Sequence, residues 1–185
     1  MTAPTIQIPG YVAGKWTIDA VHSHVGFAVR HAMVSKVRGQ FTKFEGEIVT
    51  GEDVFQSSVN VTVDLTSIET ANEMHDNHIR SADFFDVEHH PNMTFSSTGI
   101  RYENGELLID GRLTVRGITK PVTLTAEING IGAGMQGGTV AGISATGSIN
   151  RHDFNVSYNG PIPGGGVVIS DKVDFVIEVE AKLED

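Results

Sequence analysis

The chain has 185 residues and no cysteine, which excludes disulfide frameworks, thiolate metal sites, iron–sulfur clusters and a cysteine nucleophile. With 23 acidic residues against 13 Lys and Arg, its net charge of −10 counts against a nucleic-acid partner. Its 21 glycines and 19% of charged residues suit a turn-rich all-β protein rather than a helical bundle.

Residues 1–14, with Pro4, Pro9, Gly10 and Gly14, read as a flexible lead-in. They hold neither a basic n-region nor an apolar run of signal-peptide length, and no later stretch reaches a membrane span. A cytoplasmic protein without stable membrane insertion is therefore expected. Residues 15–185 read as one domain, since no composition shift or repeat divides them.

From there apolar residues recur with period two. Strands are predicted near 15–20 and 22–31, where Val25, Phe27 and Val29 share a face opposite Gly26, Ala28 and Arg30. Further runs cover 37–50 and 54–65, the latter alternating Val59, Val61, Val63 and Leu65 with Asn60, Thr62 and Asp64. The pattern breaks at Thr70-Ala71-Asn72-Glu73, a capping-box spacing that predicts a short helix over 71–81 with an Asp76–Arg80 ion pair. Strands resume near 92–101, 106–116, 118–129, 139–149 and 172–183, with hairpin turns at Asn104–Gly105 and Arg116–Gly117. The glycine-rich segments 130–138 and 159–166 read as flexible connections, too irregular for a phosphate-binding loop. Residues 51–100 carry nine acidic residues against Arg80 alone and read as a solvated face. Many antiparallel strands avoid open edges most simply by closing into a barrel.

The eight histidines raise the question of a metal. His22 and His24 share a strand face, and His75 and His78 share a helix face. There is no HExxH and no matched third ligand, so structural roles are expected and no metal is assigned. Ser23 lacks a nucleophile-elbow motif, and Asp83 and Asp86 suit a turn better than paired catalysis, so no catalytic residue is assigned. The strand faces are mostly Val, Ile and Leu. Composition leaves both a filled core and a ligand-holding lumen open.

Six ordered motifs carry a resemblance. They are WTIDAVHSHVGFAVRH (Trp16 to His31), SKVRGQF (Ser35 to Phe41), HDNHIRSADFFD (His75 to Asp86), HPNMTFSST (His90 to Thr98), GRLTVRGITKPV (Gly111 to Val122) and INRHDF (Ile149 to Phe154). Together they resemble the YceI-like family over about residues 15–183, departing at His75, where arginine is usual, and at His90, where tyrosine is common. The resemblance implies a lipocalin-like antiparallel β-barrel of about eight strands with a short helical insertion. It also implies a polyisoprenoid or isoprenoid quinone as ligand, no further cofactor, and frequent homodimers. Many members are exported behind a signal peptide, which is not apparent here.

By motif membership, Phe27, Val29, His31, Val34, Val37, Phe84, Phe85 and Phe154 are wall or mouth candidates. Arg30, His78, Arg80 and Arg151 are head-group candidates, with ion pairs to Asp76 for Arg80 and to Asp153 for Arg151 as the structural alternatives. Trp16, Arg38, Gly39 and Thr119-Lys120-Pro121 read as structural. The leading expectation is non-enzymatic lipid binding. The alternatives are a histidine-dependent hydrolase or isomerase built around His22, His24 and His78, and a ligand-free scaffold using the acidic face of 51–100.

Overall fold

Alternating β-branched and polar residues give half-buried strands, and in the computed structural model, which describes residues 6–32, 35–159 and 169–185, eleven of them form. In chain order they are β1 (Gly14–Ile18), β2 (His24–His31), β3 (Ser35–Phe41), β4 (Phe44–Thr50), β5 (Ser58–Asp64) and β6 (Ile68–Glu69). After helix α1 (Glu73–Arg80) come β7 (Asn92–Glu103), β8 (Glu106–Val115), β9 (Ile118–Ala133), β10 (Thr139–Asn150) and β11 (Ile169–Leu183). The order β1-β4-β5-β7-β8-β9-β10-β11, with β11 returning to β1, closes an eight-stranded antiparallel barrel of lipocalin-like form.

Opposite the edge that pairs with β10, the long β11 serves two partners. Its end pairs with β1 (Trp16 opposite Leu183), and its first half pairs with β2 (Phe27 opposite Phe175). β1 and β2 are thus one strand bent at a 3-10 turn, Ala20–His22, capped by Asp19, whose Oδ1 accepts from the Val21 amide at 3.0 Å. A second bend answers it: the expected run 37–50 is two strands, β3 on β2 and β4 on β1, broken at Thr42-Lys43. Ser67 holds that corner, its Oγ accepting from the amides of Thr42 and Lys43 at 3.1 and 3.0 Å.

The helix forms where expected but is capped two residues later, by Asn72, whose Oδ1 accepts from the His75 amide at 3.1 Å. Thr70 is engaged elsewhere. Its amide and hydroxyl donate to Asp76 Oδ1 at 2.8 and 2.6 Å, so Asp76 does not pair with Arg80. Arg80 instead donates to the carbonyls of Thr66 and Ile68, at 3.0 and 2.8 Å, and ties α1 to β6.

Both hairpin turns fall where the sequence puts them, with φ of 52° and 81° at Asn104 and Gly105 and 52° and 75° at Arg116 and Gly117. Arg116 then donates to the carbonyls of Ala82 and Phe84, fixing the loop after α1. The glycine-rich run 130–138 is only partly a loop, because β9 continues through Ala133 and pairs with β10. Most of the other, 160–166, lies outside the described residues. Leu65, Ile68, Val115 and Phe154 are the most deeply buried large side chains of the main core, and Trp16, Ala141 and Ala181 form a second cluster.

Candidate functional site

The inward faces do not fill the barrel. They enclose two cavities, an upper one of about 180 Å³ and a lower one of about 340 Å³. Met93 and Phe175 border both, so the two chambers abut along the barrel. The upper wall is mostly aliphatic, with Ile48, Val59, Leu107, Leu124, Ile143 and Ile177 among its residues and Trp16, Phe44 and Phe95 beside them. Its hydroxyls, those of Tyr11, Thr50 and Ser57, come from the chain at the strand ends, and it includes no acidic or basic side chain. Residues 6–13 precede β1 there, and the Tyr11 hydroxyl donates to the Gly51 carbonyl at 2.6 Å.

The lower chamber is lined by Phe27, Val29, Val37, Phe84 and Phe85, five of the wall candidates, and it also takes in Arg30, His78 and Arg151. His31 ends β2 opposite Ser35 and Ile169, and Val34 lies outside the described residues. Two candidates sit elsewhere. Phe154, 1% exposed, follows β10 on the 3-10 turn Arg151–Phe154 and joins the solid core beside Val156, off the cavity lining. Arg80 is taken up by the carbonyls that dock α1 and does not border the chamber.

Arg151 is only 3% exposed, yet its partners are backbone carbonyls rather than Asp153. Nε donates to Ser170 at 3.0 Å, Nη1 to Val156 and Tyr158 at 2.6 and 2.8 Å, and Nη2 to Ile169 at 3.2 Å. Burial lowers the guanidinium pKa from its ordinary value, while the Asp171 carboxylate acts in the opposite sense. It stays a cation, set into a largely apolar wall. Beside it, His78 Nε2 lies 2.8 Å from Asp83 Oδ2, and its ring meets Phe84 and Tyr158 edge-on at 5.0 and 4.7 Å.

His75, Tyr158, Phe41 and Ile79 also border the lower chamber and are not among the wall or head-group candidates. The period-two pattern contains the upper wall, but it does not distinguish a lumen from a filled core.

The histidines do not converge. Among the described residues, the group able to offer three metal-ligand atoms is Asp19, His22 and Glu180, on the strand bend, with one histidine. His22 Nδ1 lies 2.8 Å from Asp19 Oδ2 and 3.3 Å from Glu180 Oε2, and Lys182 Nζ lies 3.5 Å from Asp19. The Asp19 hydrogen bond raises the His22 pKa, with Glu180 adding to it, and His22 lowers that of Asp19. His24 packs over Gly26, and Ser23 Oγ accepts from the Glu180 amide at 3.0 Å. Asp83 and Asp86 pair separately, with His78 and His89. No helix among the described residues is long and apolar enough to cross a membrane.

The YceI-like domain model matches residues 16–181. Protein YceI of Escherichia coli O157:H7 is 39% identical over 173 residues, covering 91% of this chain and 87% of that one. Among solved structures, BcnA of Burkholderia cenocepacia superposes with a TM-score of 0.78 at 24% identity, covering 89% of this chain and 99% of that one. A domain from Saccharophagus degradans described as polyisoprenoid-binding superposes with a TM-score of 0.65 at 13% identity, covering 91% of this chain and 98% of that one.

Proposed function

Because the chain belongs to the YceI-like family, we propose that its lumen binds a long-chain isoprenoid or similar amphipathic lipid, without catalysis, for transport, storage or sequestration. The observation that carries this reading is the pair of abutting apolar chambers with arginine and histidine side chains at the lower one alone. Each methylene buried there contributes about 0.8 kcal/mol, so a long tail supplies most of the affinity. The polyisoprenoid-binding description of the Saccharophagus degradans domain supports the same ligand class.

The head group belongs at the lower chamber, near Arg30, His78 and Arg151. A buried guanidinium in an apolar wall favours an oxygen-rich or anionic head and disfavours a cationic one. A polyisoprenoid or an isoprenoid quinone meets that requirement. The cytoplasmic location and the homodimer expected from the sequence belong to this proposal, and cell fractionation and light scattering test them.

Solvent extraction of the natively purified protein followed by mass spectrometry is the direct test. A co-purifying isoprenoid chain is expected, and delipidated protein should take the chain up again. A protein that carries no lipid, and takes up none once delipidated, overturns the reading.

A further inference from the structure

The upper end of the barrel is crossed by a short strap. Ile8-Pro9-Gly10-Tyr11 closes as a turn, the Tyr11 amide donating to the Ile8 carbonyl at 3.0 Å, with Gly10 at φ 83°. Proline followed by a positive-φ glycine is the pattern of a type II turn, which forms at little entropic cost. Gly10 lies against the end of β9, where a Cβ would stand 2.9 Å from the Ile131 carbonyl oxygen. The next side chain reaches the other rim. The Tyr11 hydroxyl donates to Gly51, just after β4, at 2.6 Å and lies 3.3 Å from Ser57 Oγ, just before β5. In the eight-stranded wall β9 stands four places from β4 and three from β5, so the turn and the Tyr11 side chain together reach across the mouth.

The next turn of chain is fastened as well. Thr50 Oγ1 donates to the Val12 carbonyl at 2.8 Å and accepts from Trp16 Nε1 at 3.0 Å. With its hydroxyl engaged on the rim, Tyr11 also borders the upper chamber.

We propose that this Pro9–Gly10–Tyr11 strap is an end stop that sets the longest tail the lumen accepts. The proposal rests on the chain-binding reading above: the charged side chains hold the head at the lower chamber, and the tail tip meets Tyr11.

The test titrates delipidated full-length protein with a graded series of linear isoprenyl alcohols. Wild-type affinity should rise with length to a cut-off. Tyr11→Ala should move the cut-off to a longer alcohol, tightening the first alcohol beyond it by about tenfold or more, since one added isoprene unit buries several methylenes. Shorter alcohols should bind both proteins alike. Tyr11→Phe, which keeps the ring, should keep the wild-type cut-off. Tyr11→Trp should shorten it, and this variant stands in if Tyr11→Ala fails to fold. Unchanged cut-offs in folded Tyr11→Ala or Tyr11→Trp overturn the end stop and leave lipid binding intact. Failure of wild-type protein to bind any alcohol of the series overturns both.

Discussion

The two chambers share a barrel but are made differently. The upper is walled mainly by long paired strands, so the facing of most residues follows from the pleat, and the wall is mostly aliphatic with no acidic or basic side chain. The lower is completed by β2, β3, α1, a 3-10 turn and the loop after α1, and it gathers Phe27, Phe84, Phe85, Tyr158, two arginines and two histidines. Regular backbone makes a surface that grips any apolar chain. Irregular backbone, whose own carbonyls need partners, makes the place where a polar group can be held and distinguished.

Arg151 is the strongest point at which to break that contrast. Arg151→Met removes four hydrogen bonds to buried or half-buried carbonyls and should cost about 3–5 kcal/mol in denaturant unfolding. Arg151→Lys should recover little, because an ammonium cannot span the same carbonyls. In the upper chamber, Ile177→Ala should cost about 2 kcal/mol, the low end for such a truncation, because its side chain borders space. Equal losses at the two positions would mean that the lower chamber is not organised around the cation.

The same contrast explains what could be read from sequence. Strands β7, β8 and β10 and both hairpin turns follow from alternation and Asn–Gly or Arg–Gly pairs, because the ladder imposes its period on the chain. The extension of β9 through Gly130–Ala133 does not follow, since glycine there signals a loop. It is strand because β10 pairs with it, Ala141 opposite Ile131. The helix cap moved from Thr70 to Asn72 because Asp76, a contact not visible in any local spacing, claims Thr70. Tyr158 and His75 are not assigned to the lumen from sequence because they reach the lower chamber from segments without strand periodicity. Phe154 and Arg80 carried the right motifs, but a tight turn and two carbonyls put them to structural use.

A smaller effect sharpens the difference between grip and discrimination. His78→Ala deletes the edge contacts to Phe84 and Tyr158 and the exposed pairing with Asp83, for a stability loss of about 1 kcal/mol. On the proposed function it should weaken ligands with an oxygen-bearing head while leaving a plain hydrocarbon of equal length unaffected. Parallel titrations of an isoprenoid alcohol and its parent hydrocarbon read the difference. Equal weakening of both would show that the residue acts only on the shape of the chamber.

The smallest predicted effect lies where the two halves of the barrel join. β1 lines the upper chamber, β2 from Phe27 onward lines the lower, and the bend between β1 and β2 carries His22 between Asp19 and Glu180. Hydrogen bonding to Asp19 raises the His22 pKa above its ordinary 6.5, and Glu180 reinforces the shift while Lys182 opposes it. The stabilisation from this group is therefore fully present below about pH 6.5 and is lost as pH rises through the higher folded value. Asp19 behaves inversely: its pKa, held below the ordinary 3.8 chiefly by His22, gives stability above that value that is lost as pH falls through the folded one. The joint should be firmest between the two. His22 is exposed, so the effect is modest and weakened by salt. Thermal midpoints of wild type should drop more steeply than those of His22→Gln as pH passes from mildly acid to mildly alkaline. Lys182→Gln should move the drop to higher pH by removing the opposing charge. Parallel pH profiles for wild type and His22→Gln would show that the bend is held by the Asp19 cap and the backbone alone.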